Sequence, residues 1–178
     1  MKYAPLLLQV LLLLAGINPQ ICRAELTEVQ IESAYVLNFI KFVEWPSTSA
    51  PQGGTVRLCV IGNDELRASL ATLNGRKVGE YDLKVMSPTS SNDTLSFCHV
   101  LYIGGEEQRQ LVPIIKSLDK VSVLTVSDIP NFAERGGNIG LIYRDNKVLF
   151  EINLASTRKA GLRLSSQMLN LAANIFGK

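Results

Sequence analysis

The sequence predicts an α/β fold: one domain built on a mostly parallel sheet, with helices on both faces and a C-terminal antiparallel hairpin. Three observations carry that expectation. Short β-rich runs alternate with helical patterns between Thr55 and Val126, the order that winds a parallel sheet. Two further apolar runs, Ile139–Tyr143 and Val148–Ile152, flank the polar turn Arg144-Asp145-Asn146-Lys147, which is the pattern of a hairpin. No internal repeat or low-complexity linker divides the chain, and its length is enough for one domain with a proper core.

The first helix is expected over Leu26–Trp45. Ile31, Ala34, Tyr35, Phe42 and Trp45 recur at three- and four-residue steps with Asn38 among them, and Val36, Ile40 and Val43 form a second apolar row. A helix apolar on more than one side is buried or part of an interface. Pro46 ends it. Thr55–Ile61 reads as a strand closed by Gly62-Asn63-Asp64, with Asp64 as N-cap of a helix over Glu65–Leu73. Tyr81–Met86 is a second strand and Cys98–Ile103 a third. A helix over Glu106–Leu118 should kink at Pro113, and Val121–Val126 is a fourth strand. Asn131–Arg135 is at most a short helix. Beyond the hairpin, a short helix runs to Lys159 and Gly161 breaks it. Ser165 or Ser166 then caps a final amphipathic helix burying Met168, Leu169, Leu171, Ala172 and Ile175.

The N-terminus has the order of a secretory signal peptide. Lys2 is followed by the apolar run Leu6–Ala15, the breakers Gly16, Asn18 and Pro19, and small residues Cys22 and Ala24 ahead of a cut. The apolar run is too short to span a bilayer, which takes about 20 residues. Residues 1–24 are therefore expected to leave, and residues 25–178 to form the working domain. The full chain has 18 Lys+Arg against 16 Asp+Glu. The leader removes Lys2 and Arg23 and no acid, so the remainder is balanced at 16 of each. Without a basic stripe, nucleic-acid binding is not expected. Of three cysteines, Cys22 leaves with the leader, and Cys59 and Cys98 remain as an even pair in an oxidising compartment. That reads as one disulfide, the alternative being two buried thiols.

The search for chemistry is mostly negative. The one histidine, His99, has no nucleophile elbow to serve and no companions at metal-ligand spacing, so it reads as structural or surface. Gly104-Gly105 and Gly136-Gly137 lack the spacing of phosphate-binding loops. No catalytic residue, cofactor or metal is expected. Ligands of open parallel sheets bind beyond the carboxyl ends of strands. Here those ends carry Gly62-Asn63-Asp64, Gly104-Gly105-Glu106 and Ser127-Asp128, which read first as strand ends and helix caps and second as a small-molecule pocket near Asn63 and Asp128. Three residues are candidates for partner contact. Trp45 is a core plug or an interface anchor. Glu151 lies between Phe150 and Ile152 and points to the other face of its strand. Arg163, between Leu162 and Leu164, points away from both. Ordinary solvated charge is the alternative for Glu151 and Arg163. Asn38 reads as a core hydrogen-bonding residue rather than a ligand contact.

The run Ala34-Tyr35-Val36-Leu37-Asn38-Phe39-Ile40-Lys41-Phe42-Val43-Glu44-Trp45-Pro46 resembles the opening of the YfiR family of exported bacterial proteins, meeting every position of an Ala-Tyr-x-x-Asn-Phe-x-x-Phe-x-x-Trp-Pro signature. Weaker blocks come in order at Leu58–Gly62, Cys98–Ile103, Leu124–Asp128, Gly136–Ile139, Phe150–Asn153 and Ala160–Ser166. The resemblance implies a periplasmic, non-enzymatic α/β protein that dimerises. It implies binding to the periplasmic sensor domain of an inner-membrane diguanylate cyclase, repression of that cyclase, and lower cyclic-di-GMP signalling and biofilm formation. It also implies an outer-membrane lipoprotein that sequesters the repressor. The Cys59–Cys98 pair matches a family disulfide, and this chain has no cysteines for the second pair that some members carry.

Overall fold

The computed structural model describes residues 27–88, 92–145 and 147–178. The expected leader, with Cys22, lies outside the described residues.

Helix α1 (Glu28–Phe42) starts at Thr27, whose hydroxyl accepts from the Gln30 amide while the Gln30 side chain accepts from the Thr27 amide. This reciprocal box satisfies two amides that the first turn leaves without helical partners. The helix stops short of Trp45 because Val43–Glu44 becomes a strand, β1, paired antiparallel with β9 (Arg163–Leu164). The main sheet then collects β2 (Thr55–Ile61), β3 (Lys77–Val78), β4 (Tyr81–Met86), β5 (Val100–Ile103), β6 (Leu124–Ser127), β7 (Ile139–Arg144), β8 (Lys147–Asn153) and β10 (Asn174–Phe176). Its strand order is β10-β8-β7-β6-β5-β2-β4-β3. The pairs β4·β2, β2·β5, β5·β6 and β6·β7 are parallel, and the hairpin β7·β8 is antiparallel, as expected from the polar turn.

Side chains alternate across this sheet and build two cores. Val56, Leu58, Val60, Val100, Tyr102, Phe150 and Ile152 pack with α1 residues Val36, Phe39 and Ile40 and with Leu66 and Leu70 of α2 (Asp64–Ala71). Cys59, Leu101 and Ile103 face the other way, onto α3 (Leu111–Ser117) and onto Ile129 and Phe132. Helices thus cover both faces of a mostly parallel sheet, the architecture the strand–helix alternation predicts.

Several local expectations change. Of the two apolar rows on α1, the buried one is Val36–Ile40, headed by Glu32 and flanked by Phe39, while Ala34 and Asn38 are exposed. Asn38 is therefore not a core residue, and its amide oxygen accepts from Lys41 Nζ at 3.1 Å. The N-cap of α2 is Asn63 rather than Asp64, its side chain accepting from the Leu66 amide at 2.9 Å. Residues 106–118 form no single kinked helix. A short 3-10 turn, Gly105–Glu107, precedes α3, so Pro113 sits in a first turn, where its missing N–H costs nothing. After α4 (Leu154–Lys159), Ser165 caps α5 (Ser166–Leu171), which ends early. Ile175 belongs to β10, parallel to β8, and Leu171 is exposed.

Candidate functional site

The carboxyl ends of β2, β5 and β6 meet at one edge of the sheet. The first two touch too closely to cradle anything. A Cβ on Gly104 would lie 2.0 Å from the Gly62 carbonyl oxygen, and Gly62 itself has φ +65°. The Gly104 amide donates to Ile61 O at 2.8 Å, and Ser127 Oγ donates to Ile103 O while accepting from the Ile129 amide. These residues end strands and cap the segments leaving them, the simpler of the two readings of their sequence.

Beside them opens a cleft of about 360 Å³ lined by Thr27, Glu28, Val29, Glu32, Asn63, Glu65 and Asp128. Both residues named for the pocket reading, Asn63 and Asp128, line it. Among the described residues no lysine, arginine or histidine does. Glu32 is the buried member, 3 % exposed. Its Oε1 accepts from the phenols of Tyr102, at 3.2 Å, and of Tyr143. Burial raises the Glu32 pKa above the usual carboxylate value, the Tyr143 hydrogen bond opposes that, and the neighbouring Asp128 charge adds to it. Asp128 is raised by burial as well, and its Oδ1 has no hydrogen-bond partner. Both phenols are held protonated by burial and by the carboxylates they face. Glu32, Tyr102 and Tyr143 escape a motif search. The available signal is one position: Glu32 heads the Val36–Ile40 row, a carboxylate in line with an apolar stripe.

His99 is pinned inside the protein. Its Nδ1 accepts from the Arg57 amide at 2.9 Å, Arg57 Nη2 lies 3.1 Å from Nε2, and its carbonyl accepts from Trp45 Nε1 at 3.3 Å. Burial, then the Arg57 charge, lowers its pKa to about 4, so the ring is neutral at ordinary pH. Trp45 is 8 % exposed and meets Tyr81 and His99 edge-on. Of its two sequence readings, the core plug is what this placement describes. Cys59 on β2 and Cys98 just ahead of β5 are joined as a disulfide on the α3 face. Among the described residues no group of three or more His, Cys, Asp or Glu is placed to hold a metal ion, and no helix is long and apolar enough to cross a membrane.

The two charged candidates are placed apart in the sheet topology. Arg163 lies on β9 opposite Glu44, their side chains 3.7 Å apart and both largely exposed, immediately beside buried Trp45. Glu151 is half-buried on β8, between Gly140 of β7 and Asn174 of β10.

Residues 29–173 match the family described as YfiR/HmsC-like, from α1 through α5. The chain belongs to the YfiR/HmsC-like family. That family is periplasmic and regulatory and is associated with control of diguanylate cyclases. The signature residues of the YfiR-like opening have structural roles here: Tyr35 donates to Val148 O at 2.6 Å, Phe39 packs edge-on against Phe150, and Trp45 closes the core. Among solved structures, a conserved domain protein from Vibrio cholerae O1 biovar El Tor shares the fold at TM-score 0.58 with 12 % identity. The match covers 85 % of this chain but 61 % of that protein's length.

Proposed function

We propose that this chain is a non-catalytic periplasmic regulator that binds the sensor domain of an inner-membrane diguanylate cyclase and represses it. The observation that supports this reading is membership of the YfiR/HmsC-like family over residues 29–173. In this reading the chain works as a homodimer, and an outer-membrane lipoprotein relieves repression by sequestering it. The contact residues are Arg163 with its neighbour Glu44, and Glu151. Trp45 acts from within by fixing β1. The test is binding of the chain lacking residues 1–24 to cyclase ectodomains under oxidising conditions, with mass measured in parallel. Arg163→Glu and Glu151→Lys are expected to weaken binding about tenfold, which is about 1.4 kcal/mol, at unchanged melting temperature. Absence of binding to the ectodomain of any cyclase encoded beside this chain would sink the reading.

A second reading, a small-molecule binding module, has the cleft at Asn63 and Asp128 in its favour. Thermal shifts induced by a ligand and lost in Asp128→Ala would support it over the first.

A further inference from the structure

A separate cleft of about 280 Å³ lies at the amino ends of the parallel strands β2, β5 and β6, the opposite edge of the sheet from Asn63 and Asp128. Arg57 of β2 and His99, one residue ahead of β5, line it together. Thr48 and Gln52 reach it from the connection before β2, Ser96 from the 3-10 turn Asn92–Phe97, and Ser122 from the approach to β6. Among the described residues no carboxylate lines this cleft, and none pairs with Arg57.

The hydrogen bonds of His99 leave its ring one arrangement of protons. Nδ1 accepts from the Arg57 amide at 2.9 Å and so carries no hydrogen, which puts the proton of the neutral ring on Nε2. That Nε2 lies 3.1 Å from Arg57 Nη2. A guanidinium nitrogen has hydrogens to give and no lone pair to receive one. Two donors therefore face each other, and one belongs to a residue only 4 % exposed. Arg57 is held in this position from its other side. Its Nε donates to Phe97 O at 2.6 Å, and its guanidinium carbon lies 5.5 Å from the centre of the Phe97 ring. Buried donors need acceptors, and neither nitrogen can be one for the other. A single oxygen set against both nitrogens satisfies the pair.

We propose that this cleft binds a phosphate group, one of whose oxygens accepts from His99 Nε2 and Arg57 Nη2 together. Charge favours an anion there, because Arg57 has no counter-ion among the described residues and hydrogen bonds to an ionised acceptor are the stronger ones. Donor number favours a tetrahedral oxyanion over a carboxylate. The hydroxyls of Thr48, Ser96 and Ser122 and the Gln52 amide line the same cleft, and among the described residues their side chains make no hydrogen bond. A carboxylate that spends one oxygen on the His99–Arg57 pair has one left for these donors, whereas a phosphate has three. Free phosphate and a phosphate monoester share this chemistry.

The test is NMR of the nitrogen-labelled, oxidised chain lacking residues 1–24, which keeps every described element, at neutral pH and constant ionic strength. Inorganic phosphate, glycerol phosphate and acetate are titrated separately, and the His99 ring and Arg57 guanidinium nitrogens are read. Before any ligand is added, the ring should carry its proton on Nε2. Phosphate is expected to shift both sets of signals to saturation by about 20 mM, at least tenfold more tightly than acetate. Tighter binding of glycerol phosphate would identify an ester as the ligand, and tighter binding of inorganic phosphate the free ion. Arg57→Gln is expected to weaken phosphate binding about tenfold or more. Should that variant not fold, the double variant Ser96→Ala/Ser122→Ala removes only side chains free of structural hydrogen bonds, and it is expected to weaken binding about threefold at unchanged melting temperature. Unmoved signals at about 20 mM phosphate would overturn the proposal, since water alone would then fill the cleft. A ring protonated on Nδ1, acetate binding as tightly as phosphate, or full affinity in a folded Arg57→Gln or in the double variant would overturn it as well.

Discussion

Reducing the Cys59–Cys98 bridge lengthens the leash between two strands that the sheet already holds side by side. The bridge closes a loop of sequence separation 39 that contains α2, β3 and β4. In the chain-entropy picture that closure removes about 4 kcal/mol of freedom from the unfolded chain. For a domain of this size each kcal/mol moves the melting temperature by about 2–4 °C, so the expected fall is about 8–16 °C. The folded state should change little, because β2 and β5 remain paired from Leu58 to Ile61 and His99 remains bound to Arg57. The assay is differential scanning calorimetry of the oxidised chain, of the fully reduced chain and of the double variant Cys59→Ala/Cys98→Ala. A thiol count in denaturant verifies the redox state. Serine is a poorer probe, since Cys59 is fully buried and a hydroxyl there would lack a partner. The reasoning is refuted if the reduced chain, with two thiols counted, melts within about 3 °C of the oxidised one. Two thiols counted in the untreated protein would refute the bridge itself.

Other perturbations have equally definite signs. His99 has a folded pKa of about 4 against an ordinary 6.5, so the unfolded chain takes up its proton first. Stability is expected to fall as pH drops from 6.5 to 4, by roughly 3 kcal/mol, and His99→Asn should flatten that limb in urea titrations. Glu32 works the other way. Its raised pKa means the cost of its buried charge is present above the folded pKa and is relieved as pH falls through it, so Glu32→Gln should lose stability on acidification more steeply than the unaltered chain. Trp45→Ala should cost about 3–5 kcal/mol by urea denaturation. Arg163→Ala, which breaks only an exposed pair, should cost under about 1 kcal/mol. Gly104→Ala places a methyl against the Gly62 backbone, which cannot rotate away, and should cost more than about 4 kcal/mol or leave no folded protein, as circular dichroism would show.

The site was less legible than the fold. Asn63 and Asp128 could be named from the sequence because ligand clefts of parallel sheets form at strand ends, and strand ends can be read locally. Glu32, Tyr102 and Tyr143 could not, because each is unremarkable among its sequence neighbours. They matter because α1, β5 and β7 bring them to one point, separated along the chain by 70 residues in one case and 111 in the other. Trp45 was open between plug and anchor for a similar reason: its burial depends on Tyr81 and His99, which arrive from other strands.

The sequence by itself determined the alternation of strands and helices, the hairpin around Arg144–Lys147, and the Cys59–Cys98 pair, along with the resemblance that family membership bears out. These are properties of local period, turn composition and counting. Only the tertiary structure decided which row of α1 is buried, that Asn174–Phe176 is a strand on β8, and that Val43–Glu44 leaves the helix to pair with β9. A strand of two or three residues has no period to detect, and a helix with two apolar rows can bury either. In each case the deciding energy comes from a partner distant along the chain.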